Sequence, residues 1–148
     1  MMKHFKLMGF YYWLLALFTI GRWGLSLSGA DYAKTTNIFS LVTLALIASA
    51  HHAAFARAFQ GYGIKDALAL GAYIGLVTQL VIFGSTLLSY GLGMHTFWNA
   101  PTALNQTAEV PLSAAIVGRI GGLVVNTVLN VISAAIGYAM GGSLRPAK

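Results

Sequence analysis

The stretch LSAAIVGRIGGLVVNTVLNVISAAIGYAM, residues 112–140, decides how the whole chain is read. It holds a single charged residue, Arg119, in an otherwise uncharged run. At about 1.5 Å of rise per helical residue it is long enough to cross a hydrocarbon layer about 30 Å thick. Its apolar residues are continuous and do not alternate with polar ones, which is the pattern of a helix and not of a barrel strand. Three stretches of the same kind precede it, at about residues 7–28, 38–55 and 67–92. The expected fold is therefore all-α: a polytopic membrane protein of one domain, residues 1–148, with four transmembrane helices in an up-down bundle. The second stretch is the shortest, so its ends are expected to reach into the membrane interface.

Composition points the same way. Of 148 residues 57% are hydrophobic and 8% charged, at a mean hydropathy of +0.73. A soluble domain carries roughly 25% charged residues to coat its surface, so the apolar residues here must face lipid. The chain has no cysteine, which excludes disulfides, thiolate metal sites and thiol catalysis. The net charge of +6 does not suggest nucleic acid, because the basic residues sit at the ends of apolar stretches rather than on one solvated face. Lys3 and Lys6 precede the first stretch, Arg57 and Lys65 flank the middle connection, and Arg145 and Lys148 close the chain. The other two connections hold Lys34 with Asp31 and Glu109. Basic residues favour the cytoplasmic side, so both termini are expected inside. The localisation that follows is a multi-pass protein of the cell membrane, read as a bacterial inner membrane.

Residues 7–28 also resemble a signal peptide, with a basic start and Ser26-Leu27-Ser28 as a small-x-small site. Arg22 interrupts the apolar region just before that site, and the segment is read as a retained helix. Phe10, Tyr11, Tyr12, Trp13, Trp23, Tyr90, Phe97 and Trp98 fall near the expected interfaces, as an aromatic belt would. Residues 93–111 are too aromatic for an ordinary flexible connection and are expected to lie on the interface or cap the bundle. Asn105-Gln106-Thr107 within them matches a glycosylation triplet, a pattern frequent by chance.

Arg22 and Arg119 are the least usual residues, because a charge inside a membrane helix costs a few kcal/mol. Each falls about 9–12 Å below the external interface at 1.5 Å per residue, so the two are at a depth that allows a shared site. One reading has each arginine snorkelling to headgroups. The other has them bind an anion: all three acids, Asp31, Asp66 and Glu109, lie in connections. A lipid phosphate, a substrate carboxylate or helix-end carbonyls must then satisfy the guanidiniums.

Along residues 112–140, Gly118, Gly122, Asn126, Asn130 and Ala134 recur every four positions, and Ser133, Gly137 and Gly141 extend the stripe. Residues four apart share one helix face, and small residues there let another helix approach closely. Gly71 and Gly75 repeat the spacing in the third stretch. The expectation is close packing, within the bundle or between subunits; the alternative is a polar pathway lined by Asn126, Asn130, Thr78 and Gln79. His51 and His52 are neighbours on the second stretch and point about 100° apart, which disfavours joint chelation. They are weak candidates for haem ligation, and no metal or cofactor is expected.

No metalloprotease motif, phosphate-cradling glycine loop or paired intramembrane carboxylate is present. The leading expectation is a non-enzymatic membrane protein acting through helix packing, as an accessory subunit of a larger membrane complex or a homo-oligomer. The second is a small channel, carrier or lipid-handling protein with an anion site at Arg22 and Arg119. The third is a haem-binding redox subunit using His51 or His52. The lipid bilayer is the common partner, and nucleic acid is not.

Overall fold

Ser40 and Gly61 bound the second long helix, and both ends differ from the apolar run that announces it. In a computed structural model, which describes residues 7–144, the Ser40 hydroxyl accepts from the Thr43 N–H at 3.3 Å and starts the helix at Leu41. The helix continues past the apolar run through Arg57 to Gln60, where Gly61 takes a left-handed φ of 68° and Tyr62 N–H donates to the Ala56 carbonyl. The extra turn is stable because Arg57 donates to the carbonyls of Tyr138 and Ala139, at 2.6 and 3.3 Å. Lys3, Lys6, Arg145 and Lys148, which carry part of the orientation argument, lie outside the described residues.

The elements in order are α1 (Gly9–Leu27), the one-turn α2 (Tyr32–Thr35), α3 (Leu41–Gln60), α4 (Ile64–Gly91), a 3-10 turn (Pro101–Leu104) and α5 (Leu112–Gly141). The described residues contain helices and no strand. Helix α4 starts three residues ahead of its apolar run because the Asp66 carboxylate accepts from the Gly63 N–H at 3.4 Å. Three helices, α3, α4 and α5, are long and apolar enough to cross a membrane. Helix α1 falls below that measure: Arg22, the hydroxyls of Tyr11 and Tyr12, and the indoles of Trp13 and Trp23 all lower its hydropathy.

Helices α3, α4 and α5 pack backbone against backbone. A Cβ on Gly137 would lie 2.0 Å from the Ala50 carbonyl oxygen, and one on Gly141 would lie 2.5 Å from that of Ala54. Gly71 and Gly75 of α4 do the same toward α5, where a Cβ would meet the Asn130 carbonyl at 2.6 Å and the Thr127 Cα at 2.9 Å. The small residues are therefore what brings these helices together. Polar side chains seal the contact: Ser49 donates to Asn130 Oδ1 at 2.7 Å and Ser133 donates to the Leu46 carbonyl at 2.7 Å, while Asn130 Nδ2 is held within α5 by the Asn126 carbonyl at 2.8 Å.

Helix α1 is attached differently, through large side chains. Tyr11 hydrogen-bonds Thr78, the Tyr12 and Tyr73 hydroxyls meet at 2.7 Å, and the Trp23 ring lies 6.0 Å from that of Trp98. The aromatic residues thus divide into two groups. Phe10 and Trp13 are exposed, as a belt requires, whereas Tyr11, Phe97 and Trp98 are buried inside the molecule. Val117, Val124, Val128, Ile132 and Ile136 leave one flank of α5 exposed and apolar, a surface suited to lipid.

Candidate functional site

Two connections fold inward at the end of the molecule where α1 and α4 finish, and each is held by one of the arginines. Arg22, 6% exposed, donates from Nη1 to the carbonyls of Thr35, Thr36 and Ile38 at 3.0, 3.1 and 2.8 Å. Its guanidinium carbon also lies 4.9 Å from the ring centroids of both Tyr32 and Phe97. Gly21, one residue earlier, leaves room for the Phe39 ring: a Cβ there would lie 2.7 Å from it. Phe39 itself has a φ of +51°, a left-handed conformation unfavourable for a bulky residue. It lies between Ile38, which turns its carbonyl to Arg22, and Ser40, which caps α3.

Arg119 does for the second connection what Arg22 does for the first. Its Nε donates to Thr86 Oγ1 at 2.9 Å, and its Nη2 donates to the Trp98 carbonyl at 2.7 Å. The same connection is tied to α1, where Ser26 Oγ accepts from the Phe97 N–H at 2.9 Å. Inside it, Asn99 accepts from the Thr96 N–H and donates to the Met94 carbonyl. Residues 94–99 therefore fold as a plug whose Phe97 and Trp98 side chains point away from solvent.

The two arginines come together. Both line one cavity of about 250 Å³, with Thr36, Asn37, Ser40 and Trp98 among its other walls. A guanidinium carries five N–H donors; backbone carbonyls engage Nη1 of Arg22 and Nη2 of Arg119, the Thr86 hydroxyl engages Nε of Arg119, and the Tyr32 side chain adds a hydrogen bond to Arg22. No carboxylate lines the cavity. Asp31 instead caps α2 through the Ala33 N–H and meets Lys34 at 3.9 Å, the one ion pair among the described residues. Glu109 lines a separate chamber of about 540 Å³, which shares the Tyr32 and Phe97 rings with the arginine cavity. Asp66 caps the far end of α4. Two positive charges thus face a small polar cavity with no internal counter-charge.

The remaining candidates fall elsewhere. Thr78 and Gln79 on α4 and Asn130 on α5 are buried, and Thr78 and Asn130 are hydrogen-bonded within the packed helices. Asn126 gives its carbonyl to Asn130. Gly122 has ordinary contacts with Asn126 and Gln79, and Gly118 has open space where a Cβ would go. His51 and His52, near the middle of α3, border an apolar groove of about 400 Å³ between α1 and α3, whose lining includes neither arginine. His52 Nδ1 lies 2.8 Å from the Ala48 carbonyl, so that nitrogen carries the proton. The two imidazoles meet edge to face at 5.4 Å. No group of three or more His, Cys, Asp or Glu side chains suited to a metal occurs among the described residues.

Sequence reasoning finds the two arginines but not Tyr32, Phe97 or Trp98 as their neighbours. An aromatic residue near a helix end reads as an interface anchor, and nothing in its local pattern says that a plug turns it inward. Comparison of the chain with protein-family models, with curated proteins and with solved structures finds no match.

Proposed function

We propose that this chain is a multi-pass membrane protein, four-helical with both termini inside, that binds an anionic group at its external end through Arg22 and Arg119. A carrier or a lipid-handling protein is the functional class in view. One observation carries the reading: both guanidiniums line the same cavity, which has no carboxylate on its walls. A buried positive charge without a counter-charge is unfavourable, and the carbonyls, hydroxyls and ring faces around these guanidiniums provide only dipoles and quadrupoles. An anion entering the cavity supplies the missing charge through forked, charge-assisted hydrogen bonds.

This reading moves ahead of a role in assembly because the helix-packing motifs are used within the chain. Gly71, Gly75, Gly137 and Gly141 contact α5 or α3 of the same molecule and are not left for a partner. Orientation rests on Arg57 and Lys65 at the turn between α3 and α4, opposite the arginine cavity.

Calorimetric titration of the protein in nanodiscs of neutral lipid tests the reading. Inorganic phosphate, sulfate and acetate are the probes. Saturable binding of at least one of them is expected, weakened tenfold or more in Arg22→Gln and Arg119→Gln. The Lys variants, which keep the charge and lose the fork, should fall between. Undiminished affinity in both Gln variants would sink the proposal.

A further inference from the structure

Trp98 narrows the kind of anion. The residue is 4% exposed and is among those that line the arginine cavity, and its indole Nε1–H is buried with no hydrogen-bond partner. Buried donors are nearly always paired, so an orphan beside a cavity points to an acceptor that enters it. The main-chain carbonyl of the same residue is fully engaged, accepting from Arg119 at 2.7 Å and from Thr86 at 3.2 Å.

Resting on the reading that this cavity binds an anion, we propose that its ligand is a dianionic tetrahedral oxoanion of the phosphate class, held by Arg22 and Arg119 with the Trp98 indole as a third donor. Charge is the first argument. Two guanidiniums with no carboxylate on the walls present two positive charges. A carboxylate or a phosphodiester balances one of them, whereas a phosphomonoester carries about −1.5 to −2 at pH 7 and balances both. Geometry is the second argument. The donors come from three separate elements, α1, the 94–99 plug and α5. A flat carboxylate offers two oxygens to one fork, while a tetrahedral group offers three or more in different directions. Ser40 and Thr36 add hydroxyls to the same walls. Size is the third argument. About 250 Å³ lies below the roughly 300–1,000 Å³ of sites that enclose whole organic ligands. The cavity therefore suits a headgroup or a free ion, and both free phosphate and a monoester lipid such as phosphatidate provide one.

Trp98→Phe tests this, because it removes the N–H and keeps an aromatic ring against Trp23. Inorganic phosphate affinity should fall about tenfold to a hundredfold, the range for a lost bond to a charged group, while acetate affinity stays within twofold. In the native protein, indole ¹⁵N–¹H spectra give a second readout that needs no change at Trp98. One of the three indole signals should move during phosphate titration, and it should still move in Trp13→Phe and in Trp23→Phe. Nanodiscs containing phosphatidate or phosphatidylglycerol separate the two sources. Phosphatidate that blocks the titration makes a lipid headgroup the ligand, and a titration that both lipids leave intact makes it free phosphate. Acetate binding as tightly as phosphate, with an unmoved Trp98 indole, overturns the phosphate assignment and leaves an arginine-dependent anion site standing. Absence of binding by every probe overturns both.

Discussion

Gly137 lets α5 rest directly on the α3 backbone at Ala50, whereas Tyr11 holds α1 a side chain's length from Thr78 on α4. One seam is made by the absence of side chains and the other by their bulk. The difference matters because apolar side chains gain little from meeting one another when lipid is the alternative. Close backbone approach then rests on dispersion and hydrogen bonds, and it tolerates no added atom. An aromatic seam is looser, accommodates polar tips, and leaves gaps between ring edges. The arginine cavity and the separate chamber bordered by Glu109 both lie on the aromatic side, sharing Tyr32 and Phe97. The glycine seam supports the structure, and the aromatic seam supplies the spaces.

The comparison breaks most visibly at Gly137. Gly137→Ala forces a methyl to within 2.0 Å of the Ala50 carbonyl, which is backbone and unable to rotate away. Overpacking of this kind costs about 1–3 kcal/mol and more where backbone must shift, so a loss of at least about 3 kcal/mol is expected in denaturant or thermal unfolding from detergent. Gly71→Ala should follow closely, since its added methyl meets Asn130 O and Ala134 Cβ at 2.6 Å. A midpoint unchanged in both would mean that the helices are not in backbone contact.

Next in size is the polar seal within the glycine seam. Ser49→Ala leaves Asn130 Oδ1 without its donor in a residue only 1% exposed. Stranding a buried acceptor costs about 1–3 kcal/mol in water-soluble proteins. Interhelical bonds in membranes average about 0.6 kcal/mol, so a loss of about 1 kcal/mol is expected. Tyr12→Phe tests the aromatic seam. The Tyr12–Tyr73 contact is only partly buried, and its loss should cost about 0.5 kcal/mol, roughly half of the Ser49 effect. If Tyr12→Phe proved the more damaging, the ranking of the two seams would be reversed.

Much of this architecture could be read from the residues, and the limits of that reading have physical causes. Four-residue spacing of Gly71 and Gly75, and of Gly137 and Gly141, marks faces for close approach because helical geometry stacks such positions. Which helix fills each face is a tertiary matter, and the local pattern carries no trace of it. Arg22 and Arg119 stand out because isolated charge in apolar sequence is costly. Their acceptors do not, since any residue has a carbonyl and nothing in Thr35, Thr36, Ile38 or Trp98 announces that its own turns inward. Helix ends show the same division. Ser40 and Gly61 cap α3 in the structure, but the apolar run alone places the helix too early, because hydropathy ignores the capping bonds that set where a helix begins and stops.

The smallest expected effect is the sharpest control, because it repeats the largest one elsewhere on the same helix. Gly118 belongs to the same four-residue stripe as Gly122, Asn126 and Asn130, yet a Cβ there meets nothing within 4 Å. Gly118→Ala should therefore escape the clash of Gly137→Ala and keep only the gain from restricting a helical glycine, up to about 0.5–1 kcal/mol. The sign should reverse: a slight rise in the unfolding midpoint at 118, and a large fall at 137. The control also bears on assembly, since an oligomer seated on Gly118 would be disturbed by the new methyl. A monomer–oligomer distribution unchanged by Gly118→Ala in sedimentation from detergent fits a stripe whose packed half lies inside one chain. A shift toward monomer would show that the open half of α5 meets another copy, and would return helix packing between subunits to the front.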